Sequence, residues 1–285
     1  MPNIAYISNR FLPLRSAKTS ITDRGYQFAD AAYEVVTFVD DKMLDFDLHI
    51  QRLWRTLSAL KMDMPCSPRA LELLTKTLIQ KNYIHTGMVY FQVSRGIAPR
   101  SHIIPQNMTP VLSMICTRLK RDILLSPMPK ALSVALSADL RHKRCDLKTV
   151  GLLPNVLSLD DARINGFDDA LFYDENGCIT EGTSWNFWIL DKDNILRTRY
   201  LDNHILHGIT RHTVMKCAEN MNLKIIESDI TLSDIHTAKE AFATSASKFA
   251  VPIKKIGDIV LPDDNPVTLT LRQAYIDYFL QPNKS

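Results

Sequence analysis

The chain contains no Cys-x-x-Cys pair and no His-x-x-x-His, and its five cysteines, Cys66, Cys116, Cys145, Cys178 and Cys217, are odd in number and widely spaced. That argues against a disulfide frame and against a zinc site, so no metal is expected and the thiols read as reduced, as in a cytoplasmic protein. Neither Gly-x-Gly-x-x-Gly nor Gly-x-x-x-x-Gly-Lys-Ser/Thr is present, which removes the main support for dinucleotide and P-loop readings. Long apolar runs are lacking too. No segment is apolar enough to cross a bilayer, and Met-Pro-Asn-Ile-Ala-Tyr-Ile at the start has no basic stretch followed by an apolar core, so a soluble, unexported protein is expected. With a formal net charge of +3 and no dense Lys/Arg tract, nothing points to nucleic acid or membrane, and a small molecule is the expected partner. Internal repeats and low-complexity segments are also missing.

What is there is an ordinary globular composition, 46% hydrophobic and 23% charged over 285 residues, enough for two domains. Ile4 to Ser8 and Tyr33 to Val39 alternate as strands, with Asp40-Asp41-Lys42 turning the second into a hairpin to Met43-Leu44. Asp47 is placed to cap a helix through Ile50, Leu53, Trp54, Leu57 and Leu60, and Ser67-Pro68 opens another through Leu71, Leu74 and Leu78. Met88 to Ser94 and Val111 to Thr117 add strands. This predicts a small N-terminal α+β domain over residues 1–118, and the proline-containing stretch 119–130 reads as a linker. Over 131–285, strands at Leu132 to Leu136, Ala170 to Tyr173, Asn186 to Leu190, Lys224 to Glu227 and Glu240 to Ala243 alternate with helices at Asn155 to Asn165, Ile209 to Met221 and Leu269 to Leu280. A larger α/β domain follows, without a regular βαβ repeat.

Lys148, in Arg-Cys-Asp-Leu-Lys, precedes the apolar run Thr149-Val150-Gly151-Leu152-Leu153. Desolvation there would favour the neutral amine that attacks a carbonyl, although a lysine taken alone is more often simply solvated. Glu181 stands where a loop leaves a sheet after the Asn176-Gly177 turn, a position that equally suits a turn-supporting carboxylate. Gly208-Ile209-Thr210 begins a helix whose first-turn N–H groups suit a phosphate, or merely an ordinary cap. Thr244-Ser245-Ala246-Ser247 offers further hydroxyl and amide donors, and Arg52 offers a forked countercharge. Arg100 and His102 put two donors on one loop, as a carboxylate would require; solvated surface is the plainer explanation. A lysine, a carboxylate able to hold a pyridine nitrogen protonated, and a phosphate cradle, in that order, are together what a protein needs to use pyridoxal 5′-phosphate.

Jointly these segments resemble the D-amino acid aminotransferases of the class IV family of pyridoxal-phosphate enzymes, a family that also includes branched-chain aminotransferases and aminodeoxychorismate lyases. The likeness runs from Asp23-Arg24-Gly25-Tyr26-Gln27-Phe28 to about Val251-Pro252-Ile253. It implies the fold type IV architecture, a small N-terminal α+β domain and a larger C-terminal α/β pseudo-barrel. It also implies that Lys148 bonds the cofactor and carries the proton, that Glu181 holds the ring nitrogen, and that Arg52, Ile209, Thr210, Ser245 and Ala246 hold the phosphate. In Ser94-Arg95-Gly96 followed by Pro99-Arg100-Ser101-His102, the Arg-x-His pattern resembles the one that, with Tyr33, traps the substrate α-carboxylate in D-amino acid enzymes. Transamination from D-alanine to 2-oxoglutarate is implied, in a cytoplasmic homodimer whose Arg100 and His102 serve the partner's site. A branched-chain L-amino acid or (R)-amine transaminase, and a cofactor-binding protein without turnover, stay open. Ala29, Ala31, Gly151 and Ala246 depart from the family's usual residues, implying somewhat looser cofactor binding, and His142 and Trp185 are expected to reshape the pocket.

Overall fold

The computed structural model describes residues 3–280. By contact, the chain forms two compact units, one running up to Arg121 and including Leu147–Gly151, the other made of Asp122–Asp146 and the chain from Leu152 onward. The division falls inside the stretch that the sequence reads as a linker. Leu147–Gly151, expected within the large domain, groups with the first unit because its backbone adds to a strand there: Tyr33 N donates to Lys148 O (3.0 Å) and Val150 N to Ala31 O (3.2 Å).

In the first unit the strands are β1 (Ile4–Ile7), β2 (Arg10–Pro13), β3 (Ala31–Val39), β4 (Lys42–Met43), β5 (Thr86–Ser94) and β6 (Val111–Arg118), and the helices are α1 (Arg24–Phe28), α2 (Phe46–Ala59) and α3 (Pro68–Asn82). The sheet has the order β2-β1-β6-β5-β3-β4 and is antiparallel throughout. The β3–β4 hairpin turns on Asp40 and Asp41 at φ 48° and 65°, the paired left-handed conformation that matches strand twist in a two-residue loop. Ser67 caps α3 by accepting from Ala70 N (3.2 Å), with Pro68 at the first helical position. Asp47, expected as the cap of α2, lies instead inside its first turn; the chain enters through Asp45 in the left-handed region, one residue before the helix begins. Ile50, Leu53 and Leu57 of α2 and Leu71 and Leu78 of α3 are buried with Val36, Phe38, Val89 and Phe91 of the sheet. Trp54, placed on that face by the sequence, is 47% exposed because it follows Leu53 by about 100° around the helix.

A short helix, α4 (Arg121–Leu124), spans the division. The second unit then contributes β7 (Leu132–Ala138), α5 (Leu153–Ile164), β8 (Asp169–Tyr173), β9 (Ile179–Gly182), β10 (Asn186–Leu190), β11 (Leu196–Thr198), α6 (Ile209–Asn220), β12 (Ile225–Glu227), α7 (Leu232–His236), β13 (Glu240–Ser245), β14 (Phe249–Ile256), β15 (Ile259–Val260) and α8 (Pro266–Leu280). Its strands follow the order β12-β11-β10-β13-β14-β7-β8-β9, with β15 on β14, and parallel pairs occur only at β11–β12, β14–β7 and β7–β8. The last strand of that path, β9, packs back on β10, so the sheet curls into a pseudo-barrel. The architecture is thus the mixed α/β, fold type IV arrangement that the resemblance implies. Inside the curl lie Val134, Ile179, Trp185, Phe187, Ile189, Ala241, Ala243 and Ile253, all buried. Burial of this strictly apolar set is what fixes the strands' register, since a one-residue slip would turn every side chain to the other face. No helix among the described residues is long and apolar enough to cross a membrane.

Candidate active site

Lys148 sits on the backbone that lengthens the β3 edge, and Ala32 bridges Thr149 across it. Its Nζ lies 4.2 Å from the centroid of the Tyr33 ring, and among the described residues no carboxylate pairs with it. An amine is the group that condenses with a carbonyl, and the Tyr33 ring fixes where this one stands. Tyr33 is itself stacked on Tyr90 at 5.4 Å, and burial together with Tyr33 pushes the Tyr90 hydroxyl up to about 12. The structure therefore brings two expected site residues, Lys148 and Tyr33, into contact.

Arg52 projects from α2 into a wholly buried ion pair that the sequence does not reveal. Its Nε donates to Glu34 Oε1 (2.7 Å) and its Nη2 to Oε2 (2.8 Å), while His49 Nδ1 lies 2.7 Å from the same Oε2. Glu34, on β3, has no exposure at all. Burial works to raise its pKa, but the Arg52 charge and hydrogen bonds, aided by His49, overcome this and hold the carboxyl at about 2. The Nε and Nη2 donors of Arg52 are thus both fixed by Glu34.

In the second unit Glu181 lies on β9, 5% exposed. Its Oε2 accepts from Asn186 Nδ2 (3.0 Å) and Leu206 N (3.1 Å), and its Oε1 from Arg141 Nη1. Arg141 also forks onto Asp139 (2.9 and 2.7 Å) and lies over the Phe172 ring at 4.8 Å. Burial alone would lower the Arg141 pKa, but Glu181 and Asp139 hold it above its usual value. Asn186 is the junction of this group of residues. Its Oδ1 would lie 2.0 Å from a Cβ at residue 208, so only glycine fits there, and it stands opposite Thr244 in the β10–β13 ladder, next to Ser245. Glu181, the start of α6 and Ser245 are therefore gathered around one asparagine.

Gly208 caps α6 with no side-chain hydrogen bond, Thr210 in its first turn is buried, and Ser245 Oγ is buried with no partner. A buried hydroxyl without a partner carries an unmet desolvation cost of about 1–3 kcal/mol, which an anionic oxygen at that point would relieve together with the first-turn N–H groups. These residues fit a phosphate. Ala246 follows in the turn, where Lys248 N donates to Ser245 O (3.2 Å). Trp185 is 3% exposed, and its ring occupies the space above Gly182, 1.9 Å from where a Cβ would stand.

Arg100 and His102 are exposed on the loop after β5, and both rest on Phe28 of α1. The Arg100 guanidinium is 5.0 Å from the ring centroid and the His102 ring 5.5 Å from it. Gly96, at φ 115°, starts this loop where a Cβ would meet the Thr109 carbonyl at 2.3 Å. No group of His, Cys, Asp and Glu among the described residues is arranged for a metal ion. Arg141, Glu34, His49 and Asn186 are the residues that sequence reasoning missed. Their side chains are ordinary types whose partners lie 5 to 40 positions away.

Residues 31–256 match the family described as amino-transferase class IV, and the chain belongs to that family. Its cofactor is pyridoxal 5′-phosphate. Among relatives, the D-alanine aminotransferase of Listeria monocytogenes serotype 4b (strain F2365) is 32% identical over 281 residues, 96% of each chain. That of Staphylococcus haemolyticus is 30% identical over 276 residues, again 96% of each. Of solved structures, the branched-chain aminotransferase of the archaeon Thermoproteus uzoniensis with norvaline superposes with a TM-score of 0.89 at 19% identity, covering 99% of this chain and 96% of that one.

Proposed function

We propose that this aminotransferase moves the amino group of a D-amino acid, D-alanine first among them, to a 2-oxo acid, with 2-oxoglutarate as acceptor. The observation that carries the reading is the Arg100–His102 pair: two neighbouring donors mounted on an aromatic ring and bound to no acid among the described residues, in a chain whose full-length relatives are named D-alanine aminotransferase. The branched-chain neighbours, at 18 to 20% identity, share the fold.

Bound pyridoxal phosphate supplies a reactive carbonyl and a ring that takes up an electron pair. Lys148 Nζ would be the amine that holds the cofactor's carbonyl, and it would move the proton at the substrate Cα. Glu181 keeps the ring nitrogen protonated, and Asn186 and Leu206 N hold that carboxylate in direction. The first-turn amides of Ile209 and Thr210, Ser245 Oγ, the Ala246 amide and the Arg52 guanidinium anchor the phosphate. Tyr33, Arg100 and His102 bind the α-carboxylate and so decide which Cα substituent faces Lys148. In the assembly we favour, a cytoplasmic homodimer, Arg100 and His102 reach the partner's site; the five cysteines, none in a disulfide among the described residues, support the compartment.

The test is to incubate the cofactor-loaded protein with 2-oxoglutarate and D-alanine, L-leucine or (R)-1-phenylethylamine, and to resolve the glutamate formed by chiral chromatography. D-glutamate from D-alanine alone is expected. L-glutamate from L-leucine would make it a branched-chain enzyme, product from the aryl amine an (R)-amine transaminase, and no glutamate from any donor a cofactor-binding protein without turnover.

A further inference from the structure

The helix α1 is short, yet both of its ends are fixed. Asp23 caps it by accepting from Gly25 N (2.8 Å) and is itself held by Ser94 Oγ (2.8 Å). The chain leaves through Ala29 at φ 55°, ψ 26°, which ends the helix abruptly and commits the direction of Phe28. Around the Phe28 ring stand three groups: Arg24 at 4.7 Å, Arg100 at 5.0 Å and His102 at 5.5 Å. Arg24, 4% exposed, additionally donates from Nη1 to Ser101 O (2.7 Å) and from Nε to Asp30 Oδ2 (2.9 Å). Asp30 is in turn gripped by the fork of Arg95 (2.7 and 2.9 Å), whose Nη groups also donate to the carbonyls of Leu60 and Lys61.

The residue between Arg100 and His102 is therefore tied at its backbone, and the two flanking side chains meet one aromatic ring, Arg100 over it and His102 tilted against it at 60°. A guanidinium stacked on a ring keeps its N–H donors at its edge, where they are open to a carboxylate, whereas an acid in the same place would neutralise the charge and occupy the fork. We propose that Phe28 is a positioning residue for the substrate carboxylate, a platform that orders Arg100 and His102 without neutralising them, with Arg24 locking the loop at Ser101. This rests on the reading that Arg100 and His102 bind that carboxylate. It adds a determinant of amino-acid recognition located in α1, away from the loop that makes the contact.

The experiment compares the holoenzymes of Phe28→Leu, Phe28→Tyr and Arg100→Ala with the parent, measuring KM and kcat for D-alanine, the dissociation constant of propionate as a bare carboxylate, cofactor affinity and melting temperature. Losing the ring's contacts with Arg100 and His102 in Phe28→Leu should raise both KM and the propionate constant about ten-fold, with kcat and cofactor affinity within about three-fold and the melting temperature unchanged. Phe28→Tyr should restore both constants to within about two-fold. If Arg100→Ala weakens propionate binding and Phe28→Leu does not, the platform is overturned while the carboxylate reading stands. If Phe28→Leu instead lowers melting temperature and cofactor affinity together, its role is structural and the inference fails. Unchanged propionate binding in Arg100→Ala would remove the carboxylate reading and the platform with it.

Discussion

Replacing Glu34 by glutamine isolates the buried charge that the structure places behind Arg52. Both carboxylate oxygens accept from Arg52, so either orientation of the glutamine amide sets an NH2 group against an arginine donor. The carboxyl has no exposure and is held at about 2 against an ordinary 4.5, a difference equivalent to roughly 3 kcal/mol of preferential stabilisation of the charged form. Removing one partner of a buried pair costs about 3–5 kcal/mol by analogy with other proteins, so the two routes agree in size. Because the folded-state pKa is depressed, this stabilisation is fully present above about 4.5 and is lost as pH falls through about 2. Urea unfolding of parent and Glu34→Gln proteins, followed by tyrosine and tryptophan fluorescence, should show a gap of about 3 kcal/mol at pH 7 that narrows steadily below pH 4.5. Equal stability at pH 7, or a gap that does not change between about pH 7 and pH 3, would refute the account of Glu34 as a charge held by Arg52 and His49.

Ser245→Ala should raise the apo protein's melting temperature, because its buried Oγ has no protein partner to lose and its unmet desolvation cost disappears, while weakening cofactor binding about five-fold in a fluorescence titration; a fall in apo stability would contradict the assignment. Gly208→Ala, with its Cβ 2.0 Å from Asn186 Oδ1, should displace the asparagine that orients Glu181 and lower cofactor affinity at least about ten-fold, roughly the loss of one charged hydrogen bond. Arg141→Leu leaves Glu181 and Asp139 buried beside an apolar side chain and should destabilise the protein by about 3–5 kcal/mol in chemical denaturation. A loss under about 1 kcal/mol would mean that water screens the pair.

Much of the fold can be read from local signals, and the parts that cannot are those decided by distant partners. Ser67-Pro68 marks the start of α3, and Asp40-Asp41 the β3–β4 turn, because cap and turn chemistry act over a few residues. Asn186–Leu190 is foreseen to the residue, since the apolar run Phe187-Trp188-Ile189-Leu190 suits a strand buried on both faces. The strand β14 is obscured by Pro252, which cannot donate to a ladder. The structure accommodates it opposite Phe242, beside a register shift at Ile253/Lys255 in the β14–β7 pairing. Among the candidate site residues, Lys148, Glu181 and Gly208-Ile209-Thr210 stand out because their motifs are contiguous. The support behind them does not: Glu34 reads as one polar position in an alternating strand, and Arg141 as one cation in a basic stretch. Only folding reveals that these are the counterions of Arg52 and Glu181. The attachment of Leu147–Gly151 to β3 is likewise a backbone event, independent of side-chain identity and so silent in the sequence.

In the proposed reaction Lys148 works on D-amino acids held by Arg100 and His102. This is tested most directly by the visible absorption spectrum of the cofactor-loaded protein before and after adding D-alanine without acceptor, with L-leucine in a parallel cuvette. Conversion of bound pyridoxal phosphate to pyridoxamine phosphate by D-alanine alone is the predicted result. Conversion by L-leucine alone would contradict the role given to the Arg100–His102 loop.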